Sequence, residues 1–151
     1  MKRLLLALLL LTTPSWAYPE ALEGFSYGST AEEVLQRVGE PTAVEGPTLH
    51  ADSNRWIWLW DFSNHGATFE LESTTETQPQ HVRSVTIVAS SQWKLDSGLG
   101  IGSTTNEILS YYANIVRHQD SLWFATDPDS RIVTGFELNG SRVKAIFVGR
   151  R

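Results

Sequence analysis

Six short stretches of the chain alternate apolar and polar residues, and two carry apolar residues three to four apart. The alternating stretches are "IWLWD" (57–61), "TFELES" (68–73), "VRSVTIV" (82–88), "LWFAT" (122–126), "GFELNG" (135–140) and "VKAIFVG" (143–149). A period of two predicts half-buried strands. The helical stretches are "FSYGSTAEEVLQRVG" (25–39) and "LGIGSTTNEILSYYA" (99–113). In each, a threonine precedes a glutamate by three residues: Thr30 and Glu33, then Thr104 and Glu107. That spacing is a capping box, in which hydroxyl and carboxylate satisfy each other's backbone amides at a helix start. Val34, Leu35 and Val38 make one apolar stripe, and Gly39 with Pro41 stops the first helix. Ile108, Leu109, Tyr112 and Val116 extend the second stripe and predict a longer helix.

The two helical stretches align without a gap at a spacing of 74 residues, Gly28-Ser29-Thr30 on Gly102-Ser103-Thr104. The strands follow in the same order, with Phe69-Glu70-Leu71 matching Phe136-Glu137-Leu138 and Trp58 placed on Trp123. An internal repeat of this kind predicts two copies of one supersecondary unit. The expected fold class is α+β. Two tandem αβββ repeats, 18–92 and 93–151, form one curved antiparallel sheet with the helices packed on one face. Turns are expected at Ser63-Asn64-His65-Gly66, Asp127-Pro128-Asp129 and Asn139-Gly140.

"RWIWLWDF" (55–62) places Trp56, Trp58 and Trp60 on one face of a strand and Ile57 and Leu59 on the other. Both faces are apolar, so alternation does not say which is inside. In the repeat alignment Ile57 and Leu59 match the bulky Leu122 and Phe124, whereas Trp60 matches the small Ala125. A packed core tolerates size changes poorly. The expectation is therefore that Ile57, Leu59, Leu122 and Phe124 lie under the helices. Trp56, Trp58, Trp60 and Trp123 then lie on the open face with Glu70, Glu137 and Phe147. The reverse assignment satisfies the same alternation. Indoles bury roughly 150–250 Å² each, so an exposed row of them would be a contact site for a protein partner.

The N-terminus changes the compartment. Lys2 and Arg3, the apolar run Leu4 to Leu11 and Ser15-Trp16-Ala17 have the order of a signal peptide, residues 1–17. The run is shorter than the roughly 20 residues that span a bilayer. With no cysteine in the chain there is no lipid-attachment site, no disulfide and no thiolate metal site. A periplasmic or secreted protein with no stable membrane anchor is expected. Without residues 1–17 the chain carries 10 basic and 17 acidic residues, a net charge of −7. That balance disfavours nucleic acid and suits a protein partner with a basic patch.

Candidate chemistry is sparse. His50, His65, His81 and His118 form no His-x-His or His-x-x-x-His pair, and no metal or cofactor is expected. Gly98-x-Gly100-x-Gly102 precedes a helix but follows no strand of a parallel crossover unit, so it is a poor phosphate loop. Glu70 and Glu137 are the best carboxylate pair. As repeat equivalents they are expected farther apart than a glycosidase needs. The expectation is a non-catalytic binding protein. A glycan-binding module stacking sugars on the same indoles is the alternative, and a weak hydrolase is less favoured.

The stretches 25–41 and 99–112 resemble the signature of the BamE-like and β-lactamase-inhibitor-protein-like fold: an apolar residue, a glycine, a threonine cap and a short helix. The tandem arrangement is most similar to the inhibitor proteins. The resemblance implies two units side by side and an aromatic-rich sheet face that grips a partner protein. The chain lacks the lipid-attachment cysteine of BamE-like proteins and the disulfides of the inhibitors, and no inhibitory loop can be matched.

Overall fold

The structure, a computed structural model, describes residues 20–126 and 131–150. The expected signal peptide and the Asp127-Pro128-Asp129 turn lie outside the described residues. The elements are α1 (Ala31–Val38), β1 (Ala43–His50), β2 (Arg55–Phe62), β3 (Ala67–Ser73), β4 (His81–Val88), α2 (Thr105–Tyr111), β5 (Ile115–His118), β6 (Leu122–Thr126), β7 (Ile132–Asn139) and β8 (Arg142–Arg150). The strands form one antiparallel sheet in the order β1-β2-β3-β4-β8-β7-β6-β5.

This corrects the expected fold class. The molecule is dominated by an eight-stranded sheet with two short helices of 8 and 7 residues. It is not an α+β arrangement of two αβββ units under a helical layer. Fully buried helix residues are few: Ala31 and Val34 in α1, Ile108 in α2. Irregular chain supplies the rest of the cover, through Leu22, Phe25, Leu95 and Leu99. The helix expected beyond Tyr112 is absent, because the chain turns into the edge strand β5. The two strands missed in sequence are the edges. β1 is exposed at every position and contains Gly46-Pro47 at a register shift. Proline survives in a sheet at an edge or bulge, where its missing N–H costs no ladder bond. β5 has only four residues, too short for a periodic signal.

Each half is a four-stranded meander, and the halves meet where β4 pairs with β8. Local geometry repeats across that junction. Both capping boxes form, Glu33 N donating to Thr30 Oγ1 at 3.1 Å and Glu107 N to Thr104 Oγ1 at 3.2 Å. Gly28 N donates to Val82 O, and Gly102 N to Val143 O, each at 2.8 Å. An extra residue bulges in each inner hairpin, Arg83 opposite Glu70/Leu71 and Lys144 opposite Glu137/Leu138. The register also corrects the alignment of β2 with β6. Trp60 pairs with Phe69, and Trp123 pairs with Phe136, so Trp60 rather than Trp58 is the counterpart of Trp123.

Cross-strand partners share a face, and this settles the tryptophans. Trp58 lies opposite Leu71, and Trp60 opposite Phe69. Trp58, Trp60 and Trp123 are 5%, 7% and 7% exposed, and all three belong to the hydrophobic core. Trp56 is half-buried against it. The expected open-face placement of Trp56, Trp58, Trp60 and Trp123 is therefore reversed. Trp60 corresponds to Trp123 and not to the small Ala125, so residue size does not mark the open side; two residues of register slip preserve the face but change the partner. The alternation read for β3, β4, β7 and β8 matches the structure, with Phe69, Leu71, Val85, Ile87, Phe136, Leu138, Ile146 and Val148 all buried.

Candidate functional site

The face opposite the core carries Ile57 and Leu59 on β2, Glu70 on β3, Arg83 and Thr86 on β4, Phe147 on β8, Glu137 on β7 and Phe124 on β6. Their assignment follows from the register, in which Leu59 faces Glu70, Thr86 faces Phe147, and Gly135 joins Phe147 to Phe124. Three sequence-predicted residues, Glu70, Glu137 and Phe147, thus sit on the side away from the core. The four tryptophans do not join them.

Two ion pairs occupy equivalent places on this face. The extra residue of each bulge turns its cation toward the neighbouring strand: Arg83 Nε meets Glu70 Oε1 at 2.7 Å, and Lys144 Nζ meets Glu137 Oε1 at 2.8 Å. Sequence reasoning named the glutamates and missed the cations. Arg83 and Lys144 stand at the same position of the matching strands, and a bulge at that position would have revealed them. The surroundings differ. Lys144 and Glu137 are both about half exposed. Arg83 also approaches the buried Glu72, Nη1 to Oε2 at 3.5 Å, and Glu72 takes His81 Nε2 at 3.0 Å and the Tyr27 hydroxyl at 3.2 Å.

This geometry bears on catalysis. Glu70 and Glu137 lie on β3 and β7, separated by β4 and β8. Three strand spacings separate them by roughly 14 Å across the sheet, and Glu137 lies four residues along β7 from Val133, which is level with Glu70, so they stand roughly 19 Å apart, beyond the roughly 5–10 Å of a glycosidase carboxylate pair. Each is held by its own cation. No group of three or more metal-ligating side chains occurs among the described residues.

Two grooves open on the same face. One of about 390 Å³ is lined by Glu45, Thr48, His50, Ile57, Leu59 and Glu70. The other, about 160 Å³, is lined by Leu122, Phe124, Gly135, Glu137, Ala145 and Phe147 with Thr86. Gly135 shapes the second, because a Cβ there would lie 3.0 Å from the Phe124 ring. The absent side chain lets Phe124 lie down on the β7 backbone. A third groove, about 600 Å³, runs between α1 and residues 78–80 with Trp60 at its floor.

The repeat is kept in the core and broken on the open face. Phe69, Leu71, Val85 and Ile87 have the apolar counterparts Phe136, Leu138, Ile146 and Val148. By register, the open-face row Asp61, Thr68 and Thr86 in the first half corresponds to Phe124, Gly135 and Phe147 in the second. A polar row in one half is an aromatic row in the other.

A separate polar cluster lies inside the cover. Glu20 is buried and accepts hydrogen bonds from Ser97 N at 2.6 Å, Ser97 Oγ at 3.1 Å and the Tyr112 hydroxyl. Burial raises its pKa above the ordinary 4.5, outweighing the Ser97 bonds that lower it. Glu20 therefore ties the segment before α1 to the connector between halves and to the end of α2.

No family model matches the chain, and no curated protein does. Among solved structures, a cysteine-rich secretory protein from Staphylococcus aureus is similar, at 11% identity over 81% of this chain, with a TM-score of 0.45. The match spans 44% of that protein's length. Likeness at this level assigns neither topology nor activity. No helix among the described residues is long and apolar enough to cross a membrane.

Proposed function

We propose that this is an exported, non-catalytic binding protein that holds a protein partner against the sheet face opposite its core. The observation that carries the reading is apolar side chain left in water on that face. Leu59 is 39% exposed, Val88 50% and Val116 52%, on three different strands. Both helices contribute their buried side chains to the other side. Val116 lies opposite Phe124 and Val88 opposite Ala145, so both border the apolar recess of Leu122, Phe124 and Phe147, and Leu59 lines the other groove; clustered apolar surface of this kind marks a contact site. Export rests on the order of charges, apolar run and small residues in 1–17. The absence of catalysis is supported by the separation and pairing of Glu70 and Glu137. The glycan alternative called on the same indoles, of which Trp58, Trp60 and Trp123 are buried.

Site-specific photocrosslinking in the native host tests this. A benzophenone side chain at Leu59 or Val116 is expected to capture a discrete protein adduct. The same group at Leu109, exposed on α2, is expected to capture none. Equal capture at all three positions, or capture from Leu109 alone, would overturn the reading.

A further inference from the structure

The reading of the open face as a contact surface leaves the partner's chemistry unspecified, and the broken repeat supplies it. We infer that the partner presents an apolar side chain to the pocket of Phe124, Phe147 and Leu122, and a lysine or arginine about six residues away to Glu45 and Asp61. The inference rests on the contact reading above. Its starting point is the aromatic pocket. Two units that keep the same core, the same caps and the same bulges differ on the open face, where Asp61, Thr68 and Thr86 become Phe124, Gly135 and Phe147. Core packing does not require that exchange, because these residues point away from it. It builds an apolar recess of about 160 Å³ in which the Phe124 ring lies over Gly135, beside Phe147 and Leu122, a size that suits one large apolar side chain rather than a small-molecule cofactor.

Charge then selects the rest of the occupant. Glu70 and Glu137 are neutralised by Arg83 and Lys144. Glu45 faces Leu59 across the β1–β2 ladder, and Asp61 stands on the same face. Neither has a cation within salt-bridge distance among the described residues. The face thus has an aromatic recess in one half, and in the other two carboxylates, Glu45 and Asp61, that no cation pairs among the described residues, beside Leu59 and Arg55. A partner complementary to both halves is amphipathic and cationic at one end. From β1, which bears Glu45, to β8, which bears Phe147, there are four strand spacings, about 19 Å. An extended segment rising roughly 3.3 Å per residue covers that distance in about six residues. The occupant is thus a linear segment of a protein, laid across the strands with its apolar anchor in the second half.

The experiment pans a phage-displayed library of random peptides, about 12 residues long, on the intact protein. Affinities of the selected peptides are then measured by fluorescence anisotropy. The expected consensus is Lys or Arg separated by about five to seven residues from Phe, Leu or Trp. Leu122→Lys and Phe147→Ala are expected to weaken binding about tenfold or more. Glu45→Gln should weaken it about threefold at low salt, with the difference vanishing near 0.5 M salt. Leu122 is half-buried at the pocket rim, so its variant keeps the test open if Phe147→Ala unfolds. Peptides that lack the basic–apolar spacing yet lose affinity on Leu122→Lys overturn this inference and leave the contact face standing. Peptides indifferent to all three variants overturn both.

Discussion

Trp58→Ala separates the two possible faces of the sheet by energy. Trp58 is 5% exposed and lies opposite Leu71 inside the core cluster. Burying an indole removes roughly 150–250 Å² from water, worth about 4–6 kcal/mol at about 25 cal/mol per Å². Tryptophan-to-alanine changes in packed cores cost about 3–5 kcal/mol, cavity included. A loss of about 4 kcal/mol is therefore expected, a large share of the roughly 5–15 kcal/mol that holds a domain together. For a chain of this length it corresponds to a fall of roughly 12–20 °C in Tm. The neighbouring Leu59→Ala removes a side chain already 39% exposed on the opposite face, and should cost about 1 kcal/mol. Urea unfolding followed by far-UV circular dichroism measures both on one scale, with m-values confirming that the unfolded states match. The reasoning fails if Trp58→Ala costs no more than Leu59→Ala, because the indole would then lie on the wet side.

Other expectations concern charges and close contacts. Arg83→Met removes the cation from the partly buried Glu70 and from beside the buried Glu72, which keeps His81 and Tyr27, and should cost about 2 kcal/mol, whereas the equivalent Lys144→Met should cost less than about 0.5 kcal/mol; equal costs in chemical denaturation would contradict the burial difference. Glu20 has a folded-state pKa raised above 4.5 by burial, so the folded protein binds more protons than the unfolded chain in that window. Its contribution is full below pH 4.5 and falls as pH rises through the raised value. Glu20→Gln should flatten this slope, and urea midpoints that stay parallel to wild type from pH 4.5 upward would refute it. A Cβ on Gly149 would lie 2.5 Å from Arg83 O and from Ser84 Cα and Cβ, so Gly149→Ala should cost roughly 1–3 kcal/mol by prising β8 from β4; hydrogen exchange should show the loss in β4 and β8 amides first.

Much of the fold could be read where two signals agreed. The capping boxes at Thr30 and Thr104 were legible because threonine and glutamate at that spacing satisfy backbone amides locally, with no need of tertiary context. The faces of β3, β4, β7 and β8 were legible because one side of each is plainly more apolar. β2 was not, since Trp56, Trp58 and Trp60 alternate with Ile57 and Leu59 and only cross-strand register breaks the tie. Register depends on loop lengths, and those differ between the halves. β1 hid behind Gly46-Pro47, and β5 behind its length. On the open face, Glu70, Glu137 and Phe147 were legible as the outward members of alternating strands. Arg83 and Lys144 were not, because a bulge displaces a residue from the simple period of two.

The most direct test of the central claim, that the indole-bearing side of the sheet is the interior and the other side faces solvent, uses two adjacent residues. The chain has no cysteine, so Val85→Cys and Thr86→Cys each introduce a single thiol with little change in volume. Val85 is fully buried on the tryptophan side, whereas Thr86 is half-buried beside Phe147 on the opposite side. In the native protein a water-soluble disulfide reagent should modify the Thr86→Cys variant readily. The Val85→Cys variant should stay protected until the protein unfolds. A reactive thiol in place of Val85, with a protected one in place of Thr86, would contradict the account.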